Sequence, residues 1–220
     1  MPVRNIPPNR RSLTGAIASN KQGRLVGSES SLERDLLILL DFDLDVAGYE
    51  EQPVRIRYQD IEGHKRTYTP DVLVYYRDNN NLPSPLSSPL LCEVKYRDDL
   101  RRNWLEIKPK IRAARSYARE HSWRFQVITE REIRTPYLEN AKFLRQYRRI
   151  PTDWEQVNLL LEMMRELREA DPETLLLAIF KDRWNRAQLM PMLWQLISNK
   201  MIGADLTRPV TMKSRIWAVL

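Results

Sequence analysis

The chain has 220 residues, 42% of them hydrophobic, with 36 Lys and Arg against 29 Asp and Glu. That is enough apolar content for a substantial core and enough length for one sizeable domain plus a small one. One cysteine excludes an intramolecular disulfide, two histidines argue against a zinc site, and a net charge of +7 favours an acidic partner, most simply nucleic acid. The charge is unevenly placed. Residues 1–150 hold 27 basic against 20 acidic side chains and residues 151–220 hold 9 against 9, while residues 95–150 alone carry 16 against 7. The start, Met1-Pro2-Val3-Arg4-Asn5, lacks a secretory apolar segment, and no run reaches membrane-spanning length, so a cytoplasmic protein is expected.

Residues 1–28 read as a basic flexible arm. Arg4, Arg10, Arg11, Lys21 and Arg24 lie there without an acid before residue 29, among Pro, Ser, Asn and Gly. The arm either lies along a phosphate backbone or a partner, or is a plain tail. Ser30-Ser31-Leu32-Glu33 fits a capping box opening a helix through Leu36, Leu37, Ile38, Leu39, Leu40 and Phe42. Pro53 to Tyr58 alternates as a half-buried strand, and Glu62-Gly63-His64-Lys65 turns it toward a strand ending near Tyr68.

Two apolar strands follow, Pro70 to Tyr76 and Leu90 to Tyr96, joined by a flexible Asn-, Ser- and Pro-rich loop over 79–89. A long helix is expected from Asp99 to Glu120, with an apolar stripe of Ile107, Ile111, Ala114 and Ala118. Beside it runs a cationic stripe, Lys108, Arg112, Arg115 and Arg119, which is either a solvated face or a DNA contact. A strand over Arg124 to Thr129 and a helix opened by Pro136, ending in Tyr147-Arg148-Arg149, complete a domain over 29–150. This order describes an α/β fold, a mixed sheet flanked by helices with one helix crossing over it.

Ile150-Pro151-Thr152 marks the expected boundary. Beyond it, helices from Pro172 and over Ala187 to Met201, bent near Pro191, precede a hairpin of residues 202–206 with 214–219. That describes a small C-terminal winged-helix-like domain over 151–220. Its large side chains, Trp184, Met190, Met192, Leu193, Trp194, Met201, Met212 and Trp217, form either a contact surface or the domain's own core.

The chemistry lies in the two apolar strands. Asp71 opens the first. Glu93 and Lys95 share one face of the second, while Cys92 and Val94 point to the other. Cys92 reads as a small core residue. Two carboxylates and a lysine at a sheet edge suit Mg²⁺, which takes oxygen ligands and keeps waters, and the lysine can orient an attacking water. A metal-dependent nuclease follows. Glu106-Ile107-Lys108 repeats the spacing, but in a charged helical stretch with no strand before it. Pro70 biases Thr69 toward extended backbone, so Asp71 enters a strand directly rather than capping a turn. Lys95 has the ordinary alternative of a snorkelling surface lysine, which its shared face with Glu93 opposes. Glu33 either satisfies the helix start or joins the chemistry. His64 in a turn and His121 near a helix end are not expected to be ligands.

Taken in order, Ser31-Leu32-Glu33-Arg34-Asp35-Leu36, Glu51-Gln52-Pro53-Val54, Tyr68-Thr69-Pro70-Asp71, Glu93-Val94-Lys95 and Ile128-Thr129-Glu130-Arg131-Glu132-Ile133 resemble the TnsA family, endonuclease subunits of heteromeric transposases. The resemblance spans residues 29–150 and implies a restriction-endonuclease-like fold of the PD-(D/E)xK superfamily. It implies a catalytic set of Glu33, Asp71, Glu93 and Lys95, and a metal set of Glu33, Asp71, Glu93 and Val94. Mg²⁺ is the implied cofactor, with Mn²⁺ as a substitute. Gln52 recurs in the resemblance, either as support for the metal site or as a structural hydrogen-bonding group. The implied role is nicking the non-transferred strands at transposon ends, with DNA, the recombinase TnsB and the ATPase TnsC as partners, in a prokaryotic, nucleoid-associated setting. Two alternatives remain open: a free-standing restriction or junction-resolving nuclease of this fold, and a catalytically idle DNA-binding regulator.

Overall fold

The two charge-bearing apolar runs are adjacent strands of one sheet. The computed structural model describes residues 15–77 and 88–219, and the chain divides into two compact units, Met1–Arg134 and Thr135–Leu220. The division falls ahead of the expected 150/151 boundary, so the helix opened by Pro136 belongs with the second unit.

The first unit runs β1 (Gly15–Ala18), β2 (Leu25–Ser28), α1 (Ser31–Phe42), β3 (Val46–Glu51), β4 (Ile56–Gln59), β5 (Lys65–Tyr68), β6 (Val72–Tyr76), β7 (Leu90–Val94), α2 (Arg97–Arg102), α3 (Trp104–Glu120), β8 (Arg124–Ile128) and α4 (Glu130–Ile133). Its main sheet has the order β3-β6-β7-β8, antiparallel except for the parallel β7–β8 pair. A parallel neighbour requires a crossover, which α2 and α3 provide. β7 is an inner strand, and all of Leu90 to Val94 is buried, which is why it reads as a continuous apolar run broken only by Glu93.

The expected stripe of α3 is buried at Ile107, Ile111, Ala114 and Ala118. Ala114 and Ala118 close a core cluster with Ile56, Leu73 and Leu91. Leu91 is fully buried there, so Leu91→Ala is expected to cost about 3 kcal/mol in urea unfolding. A loss below about 1 kcal/mol would mean that this cluster does not carry the sheet's stability.

Several expectations need correction. Residues 1–14 of the expected arm lie outside the described residues, but 15–28 form an antiparallel hairpin, not a flexible segment. Ile17 and Val26 are buried. The turn hangs on Asp41 of α1, whose Oδ1 accepts bonds from Ser19 Oγ (2.7 Å), Asn20 N (2.8 Å) and Lys21 N (3.2 Å). Arg24 pairs with Glu51 at 2.7 Å. These partners are distant in sequence and give no local signal. The single helix expected over 99–120 is two, separated at Asn103, whose backbone (φ −112°, ψ 23°) leaves the helical region. β3 was not anticipated, because Gly48 and two terminal glutamates obscure its alternation. Apart from Ser88 and Pro89, the expected loop over 79–89 is not described beyond Arg77.

The second unit holds α5 (Pro136–Leu144), a 3₁₀ turn (Arg145–Arg149), α6 (Trp154–Leu167), β9 (Glu169–Ala170), α7 (Pro172–Ile179), α8 (Arg183–Ser198), β10 (Ile202–Ala204) and β11 (Ile216–Ala218). The strands make a small antiparallel sheet, β10-β11-β9, in which the expected hairpin of 202–206 with 214–219 is present as β10 and β11. α6 was not foreseen. Its buried Val157, Leu160 and Met164 lie at helical spacing within a stretch whose acidity dominates its appearance. Buried Asn140 fixes the β10–β11 connection, with Nδ2 donating to Leu206 O (2.8 Å) and Arg208 O (2.7 Å) and Oδ1 accepting from Val210 N (3.0 Å). Met192, Leu193 and Trp194 are core residues, whereas Trp184, Met201 and Trp217 are exposed, Trp184 at 78%.

Candidate active site

Asp71 is held by its backbone before its side chain does anything. Its N–H donates to Cys92 O (3.2 Å), and its carbonyl accepts from Gln52 N (2.8 Å). This pins the residue between the end of β3 and the middle of β7. Its Oδ2 accepts from Val94 N at 2.6 Å. Lys95 follows directly after β7, and its N–H donates to Ile128 O (3.1 Å), carrying the parallel ladder one residue further. The Lys95 ammonium stands 2.9 Å from Glu93 Oε1 and 3.7 Å from Asp71 Oδ2, and donates to Val94 O at 3.0 Å. The other Glu93 oxygen accepts from the Tyr68 hydroxyl at 2.8 Å.

The lysine side chain is 31% exposed, against 17% for Asp71 and 5% for Glu93. A buried and a half-buried carboxylate thus lie beneath a partly solvated ammonium. Burial, then the neighbouring Glu93 carboxylate, push Asp71 well above the usual carboxylate range, with Lys95 offsetting part of this. Burial alone would lower Lys95, but Asp71 and Glu93 outweigh it and hold the ammonium above its ordinary value. Burial and the Glu93 carboxylate keep the Tyr68 phenol protonated, as a donor to Glu93.

Glu33 makes the helix-start contacts that its position suggested and no hydrogen bond or ion pair to Asp71, Glu93 or Lys95. Ser30 Oγ accepts from Glu33 N (3.1 Å), and the carboxylate returns bonds, accepting from Ser30 Oγ (2.9 Å) and Glu29 N (2.8 Å). Burial raises its pKa, the bonds from Glu29 and Ser30 lower it, and the Lys95 charge lowers it further. It therefore secures the start of α1 while sharing the electrostatic field of Lys95 and Asp71.

Gln52 is only 8% exposed and takes a left-handed backbone (φ 49°), uncommon for a residue with a side chain. Its Nε2 donates to Glu29 Oε1 (3.0 Å), while its Oε1 has no hydrogen-bond partner among the described residues. It ties the end of β3 to Asp71 on one side and to the segment preceding Glu33 on the other.

Sequence reasoning missed two supports. Tyr68 fixes Glu93 across 25 positions, a pairing no local rule supplies. Arg134 bridges Asp35 Oδ2 (3.1 Å), Ser31 Oγ (3.0 Å) and the Tyr96 hydroxyl (3.1 Å), joining α1 to the residue that follows Lys95. Glu106 and Lys108, the second acid–lysine spacing, lie on α3 as expected. Of the cationic stripe, Lys108 is half-buried and Arg112, Arg115 and Arg119 are exposed; none bonds to Asp71, Glu93 or Lys95. Asp60, Glu62 and His64 lie close enough together to hold a cation. However, Asp60 organises the β4–β5 turn, accepting from Glu62 N (3.0 Å), His64 N (2.9 Å) and Arg66 Nε (3.0 Å).

A mixed sheet flanked by helices, with an acid–acid–lysine group at the end of its inner strands, defines a restriction-endonuclease-like nuclease domain. The family model for the TnsA-like endonuclease N terminal matches residues 43–130, and that for the TnsA endonuclease C terminal matches residues 132–206. The chain belongs to the TnsA endonuclease family. Membership implies a nuclease that acts on DNA within a transposase complex and suggests use of a divalent metal. Glu33 lies ahead of the matched span. No curated protein matches the chain. Among the described residues no helix is long and apolar enough to cross a membrane.

Proposed function

We propose that this chain is the metal-dependent subunit that nicks the non-transferred strands at transposon ends, with Asp71, Glu93, Lys95 and Glu33 as its catalytic group. The observation that carries this reading is the Lys95 ammonium, 2.9 Å from Glu93 and 3.7 Å from Asp71 at the edge of a buried sheet. The donor set suits a hard divalent cation by its chemistry, although Glu33, Asp71 and Glu93 do not bring three ligand oxygens together as Asp60, Glu62 and His64 do. Buried Glu93 and half-buried Asp71 stand on either side of the one ammonium of Lys95, two carboxylates to one cation, and each raises the pKa of the Lys95 ammonium. Glu33, Asp71, Glu93 and the Val94 carbonyl would hold Mg²⁺, with Mn²⁺ as a substitute, in an all-oxygen set.

When bound, the ion supplies Lewis-acid polarisation of the phosphoryl group and lowers the pKa of a bound water. The chain's own groups do the rest. Lys95 orients the attacking water and stabilises charge developing on the phosphoryl oxygens. Tyr68 holds Glu93 in one rotamer, and Val94 N does the same for Asp71, so neither carboxylate has to be ordered during the reaction. Lys108, Arg112, Arg115 and Arg119 add phosphate contacts without reading sequence. Sequence choice then falls to TnsB. The exposed Trp184, Met201 and Trp217 of the second unit suit protein contact, with TnsC as the first partner and TnsB as the second.

The test is to incubate the purified chain with transposon-end DNA and Mg²⁺, with and without TnsB, and to map nicks on each strand. Nicks on the non-transferred strands, lost in excess chelator and restored by Mg²⁺ or Mn²⁺, are expected. Full cutting in chelator would overturn the mechanism.

A further inference from the structure

We infer that the β4–β5 hairpin is a DNA-contacting ribbon of this nuclease, laying an outward face of Arg55, Arg57 and Lys65 against the phosphodiester backbone. The inference rests on the nuclease reading and adds a contact surface outside the basic stretch that follows residue 95. The register pairs Ile56 with Tyr68, Arg57 with Thr67, Tyr58 with Arg66 and Gln59 with Lys65. Side chains directly opposite share a face, so the hairpin has two different sides.

On the inner side, Ile56 is buried in the core cluster, with Tyr68 packed against it. Tyr58 and Tyr68 meet edge to face, with ring centroids 6.4 Å apart. On the outer side, Arg57, Gln59, Lys65 and Thr67 are all exposed, and so is Arg55 just ahead of the strand. The outer side carries cations and no acid. Among the described residues, Arg55, Arg57 and Lys65 make no ion pair, whereas Arg66, on the other side, is paired with Asp60 at 3.0 Å. Charges placed only to keep a strand edge soluble could be of either sign and on either face. Here one sign is confined to one face. Arg57, Tyr58, Gln59, Lys65, Arg66 and Thr67, residues of both sides, line an open depression of about 730 Å³.

Placement supplies the second argument. β5 ends at Tyr68, whose hydroxyl bonds to Glu93, and Asp71 lies three residues further on. At no more than about 3.5 Å per residue, Thr67, opposite Arg57, is within about 14 Å of Asp71, and Lys65 within about 21 Å. Both distances are shorter than one turn of duplex, about 34 Å. DNA held at the carboxylates therefore has backbone within reach of the ribbon. The ribbon meets it side-on, with its unpaired cations on the outer face, whereas the Asp60 charge at the turn is already paired with Arg66.

The test uses the full chain in chelator, so that DNA is bound but not cut. Duplex affinity is read by fluorescence anisotropy across a salt series. The triple variant Arg55→Ala/Arg57→Ala/Lys65→Ala is expected to bind at least about tenfold more weakly near physiological salt. Its plot of log K against log salt should flatten by about 2 to 3 units, at about 0.9 per lost phosphate contact. A matched control, Arg165→Ala/Lys181→Ala/Arg183→Ala, removes equal charge from the second unit and should move neither quantity by as much. With Mg²⁺, the triple variant should raise KM and leave kcat at saturating DNA within about threefold. Unchanged affinity and slope would overturn the inference, as would an equal loss in the control, which would mark a bulk charge effect. Failure of the nuclease reading looks different: wild-type protein that binds DNA but cuts nothing under any metal condition.

Discussion

Lys95→Ala is expected to lower the rate of strand cutting by at least about a thousandfold, the scale on which removing one preorganised charge from a hydrolytic site acts. The ammonium is the only cation within bonding distance of both Glu93 and Asp71 among the described residues, so no neighbour can take over. Lys95→Arg is not expected to rescue, because a planar fork cannot replace a point charge between two carboxylates and the Val94 carbonyl. The fold should survive. Lys95 is partly solvated, and screening limits what its ion pairs contribute to stability, about 1 kcal/mol. Asp71, already well above its usual range, can hold a proton rather than force two charges together. Single-turnover nicking, read on a sequencing gel beside thermal unfolding, checks both halves. Cutting within tenfold of wild type would remove Lys95 from the site.

Asp71→Asn separates chemistry from stability more sharply. The amide oxygen still accepts from Val94 N, so the 2.6 Å bond that anchors this side chain has a replacement. The negative charge facing Glu93 is gone. Cutting should fall at least about a thousandfold, while unfolding occurs at the same or a higher temperature, with a gain of up to about 1 kcal/mol. Asp71→Ala should be equally inactive but less stable by about 1 to 3 kcal/mol, since it leaves the buried Val94 N–H without a partner. If Asn destabilised the protein as much as Ala, Asp71 would be a structural group rather than a strained functional one.

The legible parts of this chain were those whose cause is local. Ser30 caps α1, Pro70 sets Asp71 immediately ahead of β6, and Glu93 near the end of β7 is followed two residues on by Lys95; each follows from neighbours within a few residues. The stripe of α3 was legible for the same reason. The parts that were not legible are held by distant partners. The β1–β2 hairpin reads as a polar arm until Asp41 is seen accepting the bonds of its turn. Glu33 reads as a choice between a cap and a functional carboxylate, and what the structure adds is the set of cap bonds its carboxylate makes with Ser30 and Glu29. Tyr68 reaches the site, and Arg134 ties α1 to Tyr96, through contacts that span the domain, and nothing near either residue announces them.

One consequence of the sheet's connectivity concerns how such a chain can change. β3 and β6 pair directly, Glu51 opposite Val72, so the segment between them leaves the sheet and returns to the same pair. The sheet therefore closes beneath the β4–β5 excursion without reference to its length. Only the root, where Ile56 enters the core and Tyr68 reaches Glu93, is bound to the interior; residues 61–64 at the tip are exposed. Insertions, deletions or recharged residues out there leave the register of the inner strands untouched. The fold thus offers lineages, and protein engineers, a graftable appendage whose reach can drift while the machinery below it stays fixed.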